Sequence, residues 1–222
     1  MESILNYEHP YVCTDTVVFT IKTQEPDSYR KLPDTSLMVL LYERDAEPFK
    51  GKWCLPGGFL DIDELPERNI RRKLLAKTDI DACWLEQLYT FCDIGRDPQA
   101  RVVSIAYLGL MAEAESKKYT GKAVWFDARN ISGPDLSFDH HRIIQTALER
   151  LRSKILYTDI VFNLLPEEFT LTQLQNVYET ILGKKEIAAN FRRKIKNMVQ
   201  ETDRHTSDKG HRPARLYTAC PK

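Results

Sequence analysis

Residues 51–80, GKWCLPGGFLDIDELPERNIRRKLLAKTDI, restrict this chain more than any other stretch. Their first half reads as a strand ending at Pro56-Gly57-Gly58. Their second half, residues 65–77, reads as an amphipathic helix with Ile70, Leu74 and Leu75 apolar. Two consecutive glycines allow a sharp bend and a close approach of a ligand to the main chain, and the helix behind them presents several side chains on one face. Strand, glycine turn and helix in this order suit the handling of phosphate groups.

The spacing resembles the Nudix box, the loop and helix of hydrolases that cleave nucleoside diphosphates linked to another group. That pattern runs Gly, five residues, Glu, seven residues, then Arg-Glu-apolar-any-Glu-Glu-any-Gly-apolar. This chain supplies Gly58, Glu64, Arg72, Leu74 and Ile80, but has Lys73, Ala76 and Lys77 where the helix glutamates belong and Asp79 for the closing glycine. Mg²⁺ requires oxygen ligands, and pyrophosphate cleavage needs the metal to polarise phosphoryl oxygen and orient water. An ammonium group cannot ligate a metal, and residues 73 and 77 share a helix face. The expectation is a pocket that no longer hydrolyses, has no catalytic residue, needs no metal and still binds a ligand. In such a pocket the cations stand in for magnesium. The bland alternative is a decayed scaffold that binds nothing.

At 222 residues the chain can form one large domain or two smaller ones. Its net charge is zero, but residues 184–222 hold 11 Lys or Arg against 4 Asp or Glu, which leaves residues 1–183 with an excess of seven negative charges. Such asymmetry points to a basic module that meets a polyanion. Five cysteines, Cys13, Cys54, Cys83, Cys92 and Cys220, show no CxxC pairing and suggest neither a zinc site nor a disulfide framework. They fit a reducing cytoplasm. No apolar run reaches membrane-spanning length, and the polar start is not a signal peptide.

In chain order, residues 15–22 and 37–42 read as strands of one mixed sheet, followed by strands at 84–92, 102–111 and 122–127. The loop at 93–101 contains Arg96, Asp97 and Arg101, which either line a pocket or sit in a surface turn held by Asp97 and Pro98. A long helix over 139–156 has Ile143, Ile144, Ala147, Leu148, Leu151 and Ile155 at helical spacing, with His140 and His141 at its start or at a pocket edge.

From residue 157 the pattern changes. Thr170 caps a helix over 171–182 with an apolar face of Leu174, Val177, Tyr178 and Ile181, and Gly183 stops it. A second helix, 186 to about 199, is expected to turn Ile187, Phe191, Ile195 and Met198 inward and Asn190, Arg193, Lys194 and Asn197 outward. Helix, glycine turn and cationic helix form a helix-turn-helix, and two polar strands around residues 207–210, with His211, Arg212 and Arg215 nearby, look like a wing.

A degenerate Nudix domain followed by FTLTQLQNVYETILG, NFRRKI and GHRPARLY is similar to the Nudix-related transcriptional regulators. The resemblance implies an α/β/α Nudix sandwich with a mixed sheet over residues 1–153 and a winged helix-turn-helix over 154–222. It implies a homodimer on double-stranded palindromic DNA that represses NAD-metabolism genes until ADP-ribose releases it. Other members of that family answer to sugars such as arabinose. It makes Lys50, Trp53, Gly58, Phe59, Arg72, Lys77, Arg96 and Arg101 effector candidates, and Asn190, Arg192, Arg193, Lys194, Lys196 and Arg212 DNA contacts. Two other classes stay open. One is a residual hydrolase using Glu64 with Asp61, Asp63 and Glu67, and the other is a protein-binding adaptor.

Overall fold

Alternation along the first strand sets the layers. In β1 (Tyr11–Gln24), Val17, Phe19 and Ile21 point to one face and Val18 to the other, and all four are buried. The computed structural model describes residues 8–24, 34–81, 83–117, 122–207 and 213–220. β1 runs antiparallel to β2 (Asp34–Glu43) and parallel to β6 (Val102–Met111), so the sheet is mixed as expected. Its seven strands are completed by β3 (Trp53–Cys54) beside β2, β4 (Gly57–Phe59) beside β1, β5 (Trp84–Phe91) beside β6, and β7 (Ala123–Asp127) beside β2.

Helix α1 (Pro66–Thr78) covers one face, where Leu74 joins Val18, Leu40, Ile80 and Met111. Proline suits the first turn, where no backbone donor is needed. The helix ends at Asp79, which adopts the left-handed conformation at φ 61° and donates its N–H to Leu75 O. A short helix, α2 (Glu113–Ser116), follows β6. The opposite face is covered by α3 (His140–Lys154), whose Ile143, Ile144, Ala147 and Leu151 are buried against Val17, Phe19 and Leu108.

The same apolar cluster continues into the C-terminal part. It takes in Ile160, Val161 and Leu164 of a 3₁₀ turn, Leu174, Val177, Tyr178 and Ile181 of α4 (Leu171–Leu182), and Phe191 and Ile195 of α5 (Ala188–Ile195). Thr170 and Gln173 form a reciprocal capping box at the start of α4, and Gly183 ends it at φ 67°. Strands β8 (Val199–His205) and β9 (Arg215–Ala219) form an antiparallel hairpin, joined by Phe169, which exchanges backbone hydrogen bonds with Tyr217. α5 is shorter than the expected helix at both ends, starting at Ala188 and ending at Ile195, and Val199 pairs with Ala219 in this hairpin. Two polar links tie the parts together. The Thr35 and Thr180 hydroxyls lie 2.5 Å apart, and Arg152 Nε donates to Ile181 O at 3.0 Å.

Candidate functional site

The glycine turn is held against β1. Asp15 pairs with Gly57 and Thr14 with Gly58, and a Cβ at Gly57 would lie 2.1 Å from Thr14 O, so only glycine permits this approach. Beside the turn a cleft of about 90 Å³ is lined by Asp15, Tyr42, Arg44, Phe59, Arg96 and His140, among others. Phe59 is half exposed at its edge, with Tyr11 packed edge-on at 5.8 Å.

The cleft floor is a buried polar network. Asp15 Oδ2 accepts from the Ser104 hydroxyl at 2.6 Å and from Arg96 at 3.4 Å, while His140 Nε2 stands 3.6 Å from Oδ1. His140 Nδ1 accepts the Leu55 N–H at 3.0 Å, which places the ring proton on Nε2, facing Asp15. Burial would raise the Asp15 pKa, but the His140 contact, the Arg96 charge and the Ser104 hydrogen bond outweigh it and hold the carboxyl below its ordinary range. Arg96 also binds Asp139 through Nε at 3.0 Å and a terminal nitrogen at 2.7 Å. Burial opposes its charge, yet these hydrogen bonds and the two carboxylates keep it protonated. Burial pushes the Cys13 and Cys54 thiols up to about 12 and about 11, so neither is a nucleophile at neutral pH.

Glu64, the carboxylate retained from the box, is fully engaged. Arg72 donates to both its oxygens, and Asn69 donates to Oε2 at 2.7 Å and to Phe59 O at 2.9 Å. The Arg72 and Asn69 hydrogen bonds lower the Glu64 pKa to about 2. Asn69 also accepts from the buried Thr14 hydroxyl at 2.7 Å, so it locks the loop, α1 and β1 together.

Of the effector candidates, Gly58, Phe59 and Arg96 line the cleft. The rest do not. Lys50 is exposed, and Trp53 packs edge-on against Phe126 at 4.7 Å. Arg72 is bound by Glu64 and Asp61, Lys77 lies over the Tyr42 ring and 3.7 Å from Asp45, and Arg101 donates to the Cys92 and Asp93 carbonyls. Arg96, read as a cation for a ligand, is already neutralised by two carboxylates. Two cations near the cleft have no carboxylate partner among the described residues. Arg44 donates to the Glu47 and Pro48 carbonyls and lies over the Phe138 ring, and Lys73 lies over the turn, its Nζ 3.1 Å from where a Gly58 Cβ would be.

Asp15, Arg44, Ser104 and Asp139 were missed by sequence reasoning. The available signal was Asp15 itself, an acid inside an otherwise apolar strand. His140 does start its helix, but it lies buried in the cleft floor rather than at its edge.

In the C-terminal part Asn190, Arg192, Arg193, Lys194 and Lys196 all lie on or just beyond α5 and face solvent. Lys194 is turned back toward α4, 3.5 Å from Glu186 and over the Tyr178 ring. Arg212 and His211 lie outside the described residues. Arg215 is paired with Glu201 across the hairpin. Ile187, expected inward, is exposed.

A Nudix sheet with its glycine turn, joined to a cationic helix-turn-helix with a β-hairpin, defines a ligand-binding fold coupled to a DNA-binding one. Residues 31–146 match the NUDIX domain model and residues 161–219 match the NrtR DNA-binding winged helix domain. The chain belongs to the NrtR family of Nudix-related transcriptional regulators. The ADPR responsive transcriptional repressor NtrR of Acinetobacter baylyi is 35% identical over 221 residues, 96% of this chain and 83% of that one. The crystal structure of Shewanella oneidensis NrtR complexed with a 27mer DNA has a TM-score of 0.79 at 34% identity, covering 94% of this chain and 93% of that one. The NUDIX domain of that protein complexed with ADP ribose has a TM-score of 0.53 at 31% identity, covering 68% and 94%. An ADP-ribose pyrophosphatase of Methanocaldococcus jannaschii is 30% identical over 141 residues, 63% of this chain and 73% of that one.

Proposed function

We propose that this chain is a repressor that leaves its DNA when ADP-ribose occupies the cleft beside Gly57 and Gly58, and that it does not hydrolyse that ligand. Residues 1–153 take the effector, and residues 154–222, acting in a homodimer on a palindromic site, take the DNA. The repressed genes are those of NAD metabolism.

The observation that carries the non-hydrolytic reading is the state of Glu64. Both its oxygens are held by Arg72 and Asn69, and the positions that would complete a metal site are Lys73, Ala76 and Lys77. Lys73 and Arg44, without carboxylate partners among the described residues, supply the positive charge a diphosphate needs, and Phe59 with Tyr11 supplies aromatic surface for a base. ADP-ribose changes DNA affinity only as far as it binds the free and the DNA-bound arrangements differently.

The test is a fluorescence titration of the protein on a duplex carrying its operator. ADP-ribose is added in the presence of EDTA, and the nucleotide is recovered and analysed afterwards. Release of DNA with ADP-ribose intact is expected. Magnesium-dependent conversion of ADP-ribose to AMP would assign a hydrolase instead, and release by a simple sugar but not by ADP-ribose would replace the effector.

A further inference from the structure

We propose that Ile187 reads thymine methyl groups in the major groove, a sequence-specific contact separate from the cations of α5. The inference rests on the DNA-binding reading of the winged helix.

Helical periodicity would place Ile187 on the buried face with Phe191 and Ile195. Those two are each 1% exposed, whereas Ile187 is 71% exposed. The helix begins only at Ala188. Residue 187 is its extended N-cap, at φ −70° and ψ 126°, so its side chain departs before the helical period applies. Its carbonyl still accepts from the Asn190 and Phe191 N–H groups, which fixes it to the first turn.

The chemistry changes along the helix. Ile187, Ala188, Ala189 and Asn190 are exposed and uncharged, and cations begin only at Arg192. In helix-turn-helix proteins the N-terminal residues of the recognition helix meet base edges, while cations reach phosphates. The apolar group that a base edge offers in the major groove is the C5 methyl of thymine. Ala188 and Ala189, with one methyl each, do not hold the helix entry away from the bases. The neighbourhood also selects this occupant. A single exposed isoleucine, flanked by Lys184, Lys185 and Glu186 before it and by the exposed cations of α5 after it, is too small a surface for an apolar protein partner.

The experiment uses the full chain to select an operator from random duplexes, and then replaces each thymine in turn by deoxyuridine, which removes the methyl and keeps the pairing. At one or two positions per half-site, affinity should fall about fourfold, the factor that ~0.8 kcal/mol per buried methyl corresponds to at 25 °C. Ile187→Ala should weaken binding to the thymine operator by a similar factor and show no further loss on uridine at those positions. Its melting temperature and salt dependence should be unchanged, since the residue is exposed and uncharged. Uridine that is neutral everywhere, or a uridine loss that persists in Ile187→Ala, would overturn the inference and leave DNA binding standing. If no sequence is enriched in the selection, the sequence-specific DNA-binding reading fails, and this inference with it.

Discussion

Arg72 donates to both carboxylate oxygens of Glu64, through Nε at 2.8 Å and a terminal nitrogen at 2.5 Å. The pair closes the loop after the glycine turn onto α1 and leaves Glu64 no free oxygen pair for a cation. Calorimetry should therefore show ADP-ribose binding with the same affinity, within about twofold, with magnesium or with EDTA. Glu64→Gln, which keeps the shape and one acceptor, should alter that affinity little. A strict magnesium requirement would contradict this arrangement.

Cations at the cleft are predicted to divide into two kinds. Lys73→Ala removes a charge with no carboxylate partner among the described residues and should weaken ADP-ribose binding about tenfold, consistent with a charge-assisted hydrogen bond. Its melting temperature should not move. Arg96→Ala instead takes the shared guanidinium from Asp15 and Asp139 and should cost about 3 kcal/mol of stability. Thermal melts and titrations on both variants separate the two roles.

Acid sensitivity follows from Asp15 and Glu64, whose carboxyls both lie below their ordinary values in the folded state. A depressed folded pKa contributes stability that is complete above the unfolded value and is lost as pH falls through the folded one. For Glu64 that window runs from its ordinary 4.5 down to about 2. Urea unfolding should show stability falling as pH drops below about 4. Asp15→Asn, already weaker at pH 7, should fall less over the same range.

Asp79 closes α1 in a left-handed conformation that favours glycine. Asp79→Gly should stabilise the protein by about 0.5 kcal/mol, because relief of a left-handed penalty of about 1–2 kcal/mol is partly offset by the extra backbone freedom, about 0.5–1 kcal/mol, that glycine loses on folding. The expected rise in melting temperature is about 1–2 °C for a chain of this size. A fall would mean that the Asp79 side chain has a stabilising role of its own.

On DNA, Arg193→Ala should lower affinity and reduce the salt slope by about one per half-site. Lys194→Ala should do less to that slope, because Lys194 is already held by Glu186 and the Tyr178 ring. Affinities measured across a range of salt concentrations distinguish the two residues.

Elements with strong local signals were legible in the sequence. The β1 and β2 runs, the helix behind the double glycine, the core face of α3, and α4 between Thr170 and Gly183 all appear where periodicity and caps place them. Two errors concern α5. Periodicity places Val199 in the helix because a strand partner at Ala219 is invisible to it, and places Ile187 in the core because the helix starts at Ala188, two residues after the expected 186. The cleft was the harder part. Asp15, Ser104 and His140 meet across the sheet from positions dozens of residues apart, and no local pattern announces that meeting. The engagement of the candidate cations was also not legible. Sequence reveals a charge but not its partner, and Arg72, Lys77 and Arg96 each have one.

Helix α3 starts at His140 in the cleft floor, and in its last turn Arg152 donates to the Ile181 carbonyl near the end of α4. At 15 residues it is a rod of about 22 Å. A packed helix of that length transmits a tilt of one end to the other without a hinge, much as a pushrod does. A ligand that shifted Asp139 or His140 would thus move the seat of α4, and the stroke at the DNA end would be set by leverage about the sheet.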